Sequence, residues 1–176
     1  GRFAEEKGLF HLLAAFQEVR RALPGAALVL AGEKESVPGE RVGERLAPYL
    51  ADPSSGVVAT GPVPPEDIST LFNVADVLAL PSTNSTESFG VVQVEAMLSG
   101  VPVVASDLPG VRQPVSMTGM GEIARAGDAR ELAEKLLAVL RSPGKYLRPR
   151  EEIRRAFPLD RTIGQYEALY EEVRRA

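Results

Sequence analysis

An α/β fold, a parallel sheet with helices on both faces, is predicted by three observations. Short apolar runs of strand length alternate with amphipathic stretches of helical period along the chain. The connections between them are short, and turn residues mark their ends. The run 27–31 (ALVLA) is continuously apolar, as a strand buried within a parallel sheet is. With 176 residues, 44% of them hydrophobic, the chain can build one domain over 1–176 with a sizeable core. No internal repeat, low-complexity tract or linker divides it.

The elements follow in order. Leu9, Leu12, Leu13, Phe16, Val19 and Leu23 make one stripe, which predicts an amphipathic helix from about Glu5 to Leu23, stopped by Pro24-Gly25. The strand 27–31 ends at Gly32, and a polar loop leads to Gly39. A helix over 39–50 places Val42, Leu46 and Leu50 at helical spacing. Strands are predicted at 56–60 and 76–80, separated by a helix opened by Pro64-Pro65-Glu66-Asp67, with proline early and acids in the first turn. A strand over 101–105, a turn at 107–110 and a short strand at 121–124 come next. Asp128 is the expected N-cap of a helix carrying Leu132, Leu136, Val139 and Leu140. One helix over 146–156 follows. Asp160 caps a last helix with Ile163, Tyr166, Leu169, Tyr170 and Val173 on one face.

Composition excludes several functions. Net charge is −4, so no basic excess points to nucleic acid or an anionic membrane surface. Without cysteine there is no disulfide framework and no thiolate metal site or thiol nucleophile. The one histidine, His11, makes a His-based metal site or a Ser-His-Asp triad hard to build, and its wheel position predicts a solvent-facing residue. There is no Walker A pattern and no G-x-G-x-x-G, hence no case from motif for a dinucleotide cofactor. No signal peptide or transmembrane run is present, and the expected location is cytoplasmic, with peripheral membrane association of a full-length protein left open.

The chemistry concentrates in 81–104, PSTNSTESFGVVQVEAMLSGVPVV. A helix opening at about Ser88, with Ser88 as N-cap and Gly90 in its first turn, would present bare backbone N–H groups to an anion. Glu87 lies just before this helix. On a helical wheel Glu95 falls inside the arc of Val91, Val92, Val94 and Leu98, which predicts a largely buried carboxylate facing the strand-end cleft. Two roles stand open for it: a Glu reaching solvent at the sheet edge, and a ligand-binding group. In open α/β sheets ligands sit at the carboxyl ends of the strands, where Glu87 and this helix start are expected.

Taken together, Pro81-Ser82, Glu87, Phe89-Gly90, Glu95-Ala96-Met97, Gly100 and Pro102 resemble the E-x7-E signature of retaining glycosyltransferases of the GT-B fold, the large family called group 1 or family four. The likeness extends over nearly the whole chain. It implies one half of a GT-B fold, the Rossmann-like C-terminal domain that binds a nucleotide-sugar donor, with UDP- or GDP-sugars expected and neither metal nor other cofactor needed. It assigns Glu87 to the transferred sugar's hydroxyls and Glu95 to the ribose. It sets the amides of Phe89, Gly90 and Val91 against the diphosphate or sugar. GRFAEEKG resembles the family's G-R-x4-K-G segment and makes Arg2 and Lys7 the diphosphate's cations; the residue-level alternative is ordinary surface charge. Gly61-Pro62-Val63 resembles the step that places a valine, here Val63, against the base. The helix within 158–176 is expected to pack toward an N-terminal acceptor domain absent from these residues, and to leave an apolar face free for self-association. Transfer by these residues alone is not expected. The alternatives are a non-catalytic nucleotide-binding or interaction module, and half of a GT-B sugar phosphorylase or epimerase.

Overall fold

The computed structural model describes residues 1–33 and 39–175. Its short parallel strands form two sheets, where one parallel sheet is expected from the sequence. β1 (Leu28–Ala31) pairs with β2 (Val57–Gly61), and β4 (Val103–Ser106) lies between β3 (Leu78–Leu80) and β5 (Gly121–Ala124). The helices are α1 (Leu9–Ala22), α2 (Val42–Ala51), α3 (Ile68–Phe72), α4 (Val91–Leu98), α5 (Gln113–Thr118), α6 (Ala129–Arg141), α7 (Pro143–Tyr146), α8 (Arg150–Ala156) and α9 (Leu159–Arg175).

The pleat distributes side chains to two cores. Along β4, Val104 enters one core, whereas Val103 and Ala105 enter the other. The first core joins α1, α2 and α6 to β1, β2 and Val104, through Leu13, Phe16, Leu46, Leu136 and Val139. The second joins α4, α5 and α8 through Met97, Val115, Met120 and Ile153. All four residues of β4 are buried. Each fully buried valine or isoleucine contributes about 1.5–3 kcal/mol. Helices cover both faces at β3–β5. At β1–β2 one face is open: Val29 and Val58 are about half exposed, so the expected burial of the first strand holds for Leu30 and fails for Val29.

Several boundaries differ from expectation for local reasons. The first helix starts at Leu9, because Gly8 turns the chain with φ 68° after a 3-10 turn at Glu5–Lys7. His11 is half-buried beside Gly127, not solvent-facing. The helix expected over 146–156 is interrupted: Tyr146 ends the short α7 and only 150–156 form α8, since Pro149 lacks the N–H that would continue a helix and acts as the N-cap of α8. α5 has no counterpart in the sequence reading. Asp128 caps α6 as expected, its carboxylate accepting from the Glu131 N–H at 2.9 Å. Asp160 lies inside the first turn of α9 and is not its cap. The polar loop expected between Gly32 and Gly39 falls mostly outside the described residues.

A polar cluster ties β5 to α6 and α7. Glu122 accepts from the Tyr146 hydroxyl at 2.7 Å and from Lys135 Nζ at 3.0 Å. Burial pushes the Glu122 carboxyl up, but the bonds from Tyr146 and Lys135 outweigh it and hold it below the ordinary carboxylate value of 4.5. A depressed folded-state value stabilises the fold above that ordinary value, and the contribution is lost progressively as pH falls from it through the depressed one. Tyr146→Phe is therefore expected to cost about 1 kcal/mol in denaturant unfolding at neutral pH, and less at about pH 3. An equal loss at both pH values would refute the coupling.

Candidate functional site

The segment 1–8 draws the carboxyl ends of several strands together. The Phe3 N–H donates to Glu33 O at 3.0 Å, just beyond β1, and the Gly32 N–H donates to Gly61 O at 2.9 Å, at the end of β2. The Thr83 N–H donates to Glu6 O at 2.8 Å, just beyond β3. Gly8 lies so close to this segment that a Cβ on it would stand 2.0 Å from Pro81 O. The loop after β4 closes on the same place, where a Cβ on Gly110 would stand 1.7 Å from Ser88 O.

This stitching joins residues 80 positions apart. Lys7 Nζ donates to Glu87 Oε2 at 2.7 Å, with both side chains about three-quarters or more buried. Glu87 follows an exposed turn in which Asn84 Oδ1 accepts from the Thr86 N–H at 3.0 Å and hydroxyl at 2.7 Å. Arg2 does not join the pair. It is largely exposed, and its guanidinium lies 3.6 Å from Glu6 Oε1. Val63 sits half-buried in the loop beyond the carboxyl end of β2.

The helix start differs from expectation. α4 begins at Val91, and its N-cap is Gly90 at φ 75°, with Ser88 exposed and outside the helix. This leaves the N–H groups of Gly90, Val91 and Val92 without an acceptor among the described residues. Phe89 is half-buried, its ring edge-on to Phe157 at 6.1 Å.

The expected burial of Glu95 is overturned. Glu95 is exposed, and Gln93, Ala96 and Met97 form the buried face of α4 instead. Val91, one turn before Glu95, is 63% exposed. Because three of the first five helical positions, Val91, Val92 and Val94, are valines, the apolar arc has no unique centre; the core selects the side that carries the small Ala96 and the long Met97. Gln93 is the residue the sequence reading missed. Its side chain is fully buried and bonds two backbone carbonyls, Phe89 O and Val111 O, each at 2.9 Å. The signal available for it was its spacing from Ala96 and Met97 at three and four residues.

The arrangement offers an anion three kinds of donor: a lysine, free helix-start amides and, at the margin, an arginine. It also offers two carboxylates able to accept from hydroxyls, one of them on the exposed face of α4. Among the described residues no group of three or more His, Cys, Asp or Glu could hold a metal ion, and no helix is long and apolar enough to cross a membrane. A groove of about 550 Å³, lined by Phe16, Arg20, Tyr49 and Asp52, lies at the opposite edge, by the amino end of β2, away from these groups.

Known proteins share this architecture. The chain is 30% identical to the phosphatidyl-myo-inositol mannosyltransferase of Mycobacterium leprae, over 98% of this chain and 45% of that protein. It is likewise 30% identical to the 2-deoxystreptamine glucosyltransferase of Streptomyces kanamyceticus, over 98% of this chain and 44% of that protein. Its fold superposes on sucrose-phosphate synthase from Thermosynechococcus elongatus with a TM-score of 0.79 at 28% identity, covering 98% of this chain and 44% of the other. On Anabaena HepE, solved in complex with UDP, the TM-score is 0.78 at 26% identity, with 98% and 47% covered. HepE has also been solved with UDP-glucose. The chain thus spans less than half the length of these relatives. The profile of the family described as "Glycosyl transferases group 1" matches residues 1–156, and the chain belongs to that family, with the Rossmann-like α/β fold of a GT-B half.

Proposed function

We propose that the chain is the donor-binding half of a retaining glycosyltransferase that takes its sugar from a nucleoside diphosphate. The observation that carries the reading is the Lys7–Glu87 pair, set at 2.7 Å beside the free amides of Gly90 and Val91 on the carboxyl edge of the sheet. A cation, a carboxylate and helix-start N–H groups together match a ligand that joins a diphosphate to a hydroxyl-rich sugar. The solved complexes of HepE with UDP and UDP-glucose support a uridine donor, with guanosine the alternative.

In this reading Lys7, Arg2 and the amides of Phe89, Gly90 and Val91 take the diphosphate. They stabilise the negative charge that grows on it as the bond to the sugar breaks. Glu87, already held by Lys7, accepts from hydroxyls of the transferred sugar. Glu95 accepts from the ribose, a role its exposure on α4 permits. Val63 lies against the base. The acceptor side belongs to a domain outside these residues, and α9 turns its apolar face toward it. A cytoplasmic location is part of the same proposal.

The isolated chain is then expected to bind UDP or GDP without transferring sugar, since nothing orients an acceptor hydroxyl or excludes water. Calorimetry should give the same affinity with and without EDTA. Glu95→Gln should weaken the nucleotide roughly tenfold, the value of one hydrogen bond to a charged group. Glu87→Gln should act mainly on the nucleotide-sugar and leave the bare diphosphate nearly unchanged. No binding of either nucleotide at millimolar concentration, or binding abolished by EDTA, would overturn the reading.

On α9, Ile163, Tyr166, Leu169, Tyr170 and Val173 are all 46% exposed or more. An apolar stripe of this kind tends to associate when uncovered. Sedimentation of the isolated chain should show a concentration-dependent dimer that Leu169→Glu disperses. A strict monomer at high concentration would count against an uncovered docking face.

A further inference from the structure

We infer that Gln93 is a positioning residue that aims the free N–H of Gly90 at the anion; the inference rests on the function proposed above. Gln93 occupies the third position of α4, where a Gln or Glu often reaches back and accepts from the N-cap N–H. Here the side chain does the reverse. Its Nε2 donates to Phe89 O and to Val111 O, both at 2.9 Å, and its Oε1 has no partner among the described residues.

The Phe89 carbonyl and the Gly90 N–H belong to one planar trans peptide, so they point in opposite directions. Holding the carbonyl toward the interior turns the N–H away from it. Gly90 has the φ freedom to swing this peptide, and the clasp removes that freedom. The second bond, to Val111, ties the corner to the loop after β4, where Gly110 already lies against the Ser88 carbonyl. The corner is thereby fixed from two sides before any ligand arrives, which is what a binding site for a diphosphate needs.

The glutamine does more than fill space. A buried acceptor without a partner costs about as much as an ordinary internal hydrogen bond contributes. A leucine or methionine of similar volume would avoid the orphaned Oε1 but would strip the Phe89 and Val111 carbonyls of the donor they have here. Besides what they contribute to stability, these two bonds set the direction of one peptide.

The test compares the chain with Gln93→Leu and Gln93→Glu by NMR titration with UDP and uridine, and with GDP and guanosine. Leucine removes both donors. Glutamate removes them and can also accept from the Gly90 N–H, closing the cap and taking that N–H from the ligand. Diphosphate affinity should fall about tenfold for Gln93→Leu and further for Gln93→Glu, while affinity for the bare nucleoside stays within about twofold. In the unsubstituted chain the Gln93 side-chain NH2 should exchange slowly with solvent, and the Gly90 amide should shift on adding UDP or GDP but not the nucleoside. That measurement decides the matter even if both variants unfold. Folded variants that bind the diphosphate as the parent does, or a freely exchanging Gln93 NH2, would overturn the positioning role and leave the donor-binding reading intact. A parent chain that binds neither UDP nor GDP would overturn both.

Discussion

The structure depends on a seam between two stretches of backbone far apart in sequence. The 3-10 turn at Glu5–Lys7 meets the segment 81–83 through the Thr83–Glu6 bond, and Gly8 lies where any side chain would collide with the Pro81 carbonyl. From this contact follow the start of α1, the placement of its apolar stripe in the first core, and the position of Lys7 opposite Glu87. The seam is made of main-chain groups and a missing side chain, so its geometry does not rest on flexible rotamers.

Electrostatics at the site are arranged in two layers. Lys7 and Glu87 satisfy one another in a partly buried setting, which spares each the cost of standing alone. The amides of the α4 start carry no formal charge and face no competing acceptor among the described residues. An anion at this corner would therefore meet fixed dipoles as well as a cation, and the dipoles need no rearrangement. Arg2, exposed and paired with Glu6 among the described residues, stands apart from the Lys7–Glu87 pair.

Much of this was legible in the residues. Asp128 could be recognised as a cap because its carboxylate acts within one turn, and the stripe from Leu9 to Val19 because α1 packs on one side only. Glu87 and Lys7 were nominated by resemblance, but their contact was not, since it depends on how the 1–8 and 81–83 segments meet. Glu95 defeats a helical wheel because α4 is apolar nearly all round, so periodicity cannot say which side faces the core. Gln93 escaped for the same reason: a polar residue in the buried arc looks like a surface residue until its two carbonyl partners are in place. The division of 146–156 was visible in Pro149, whose missing N–H outweighs the apolar spacing.

α9 has no buried residue along its 17 positions, and Gly164 lies within it. Helices in water draw most of their stability from burying a face, and those near this length are marginal without it; a glycine inside subtracts roughly 1 kcal/mol more. Side-chain pairs such as Arg175 with Glu171 at 2.7 Å restore only a fraction of that. A surface covering its tyrosines and leucines would supply the stability this helix lacks. Any docking on this face would be partly a folding reaction, and its heat-capacity change would report helix formation along with the closing of a surface.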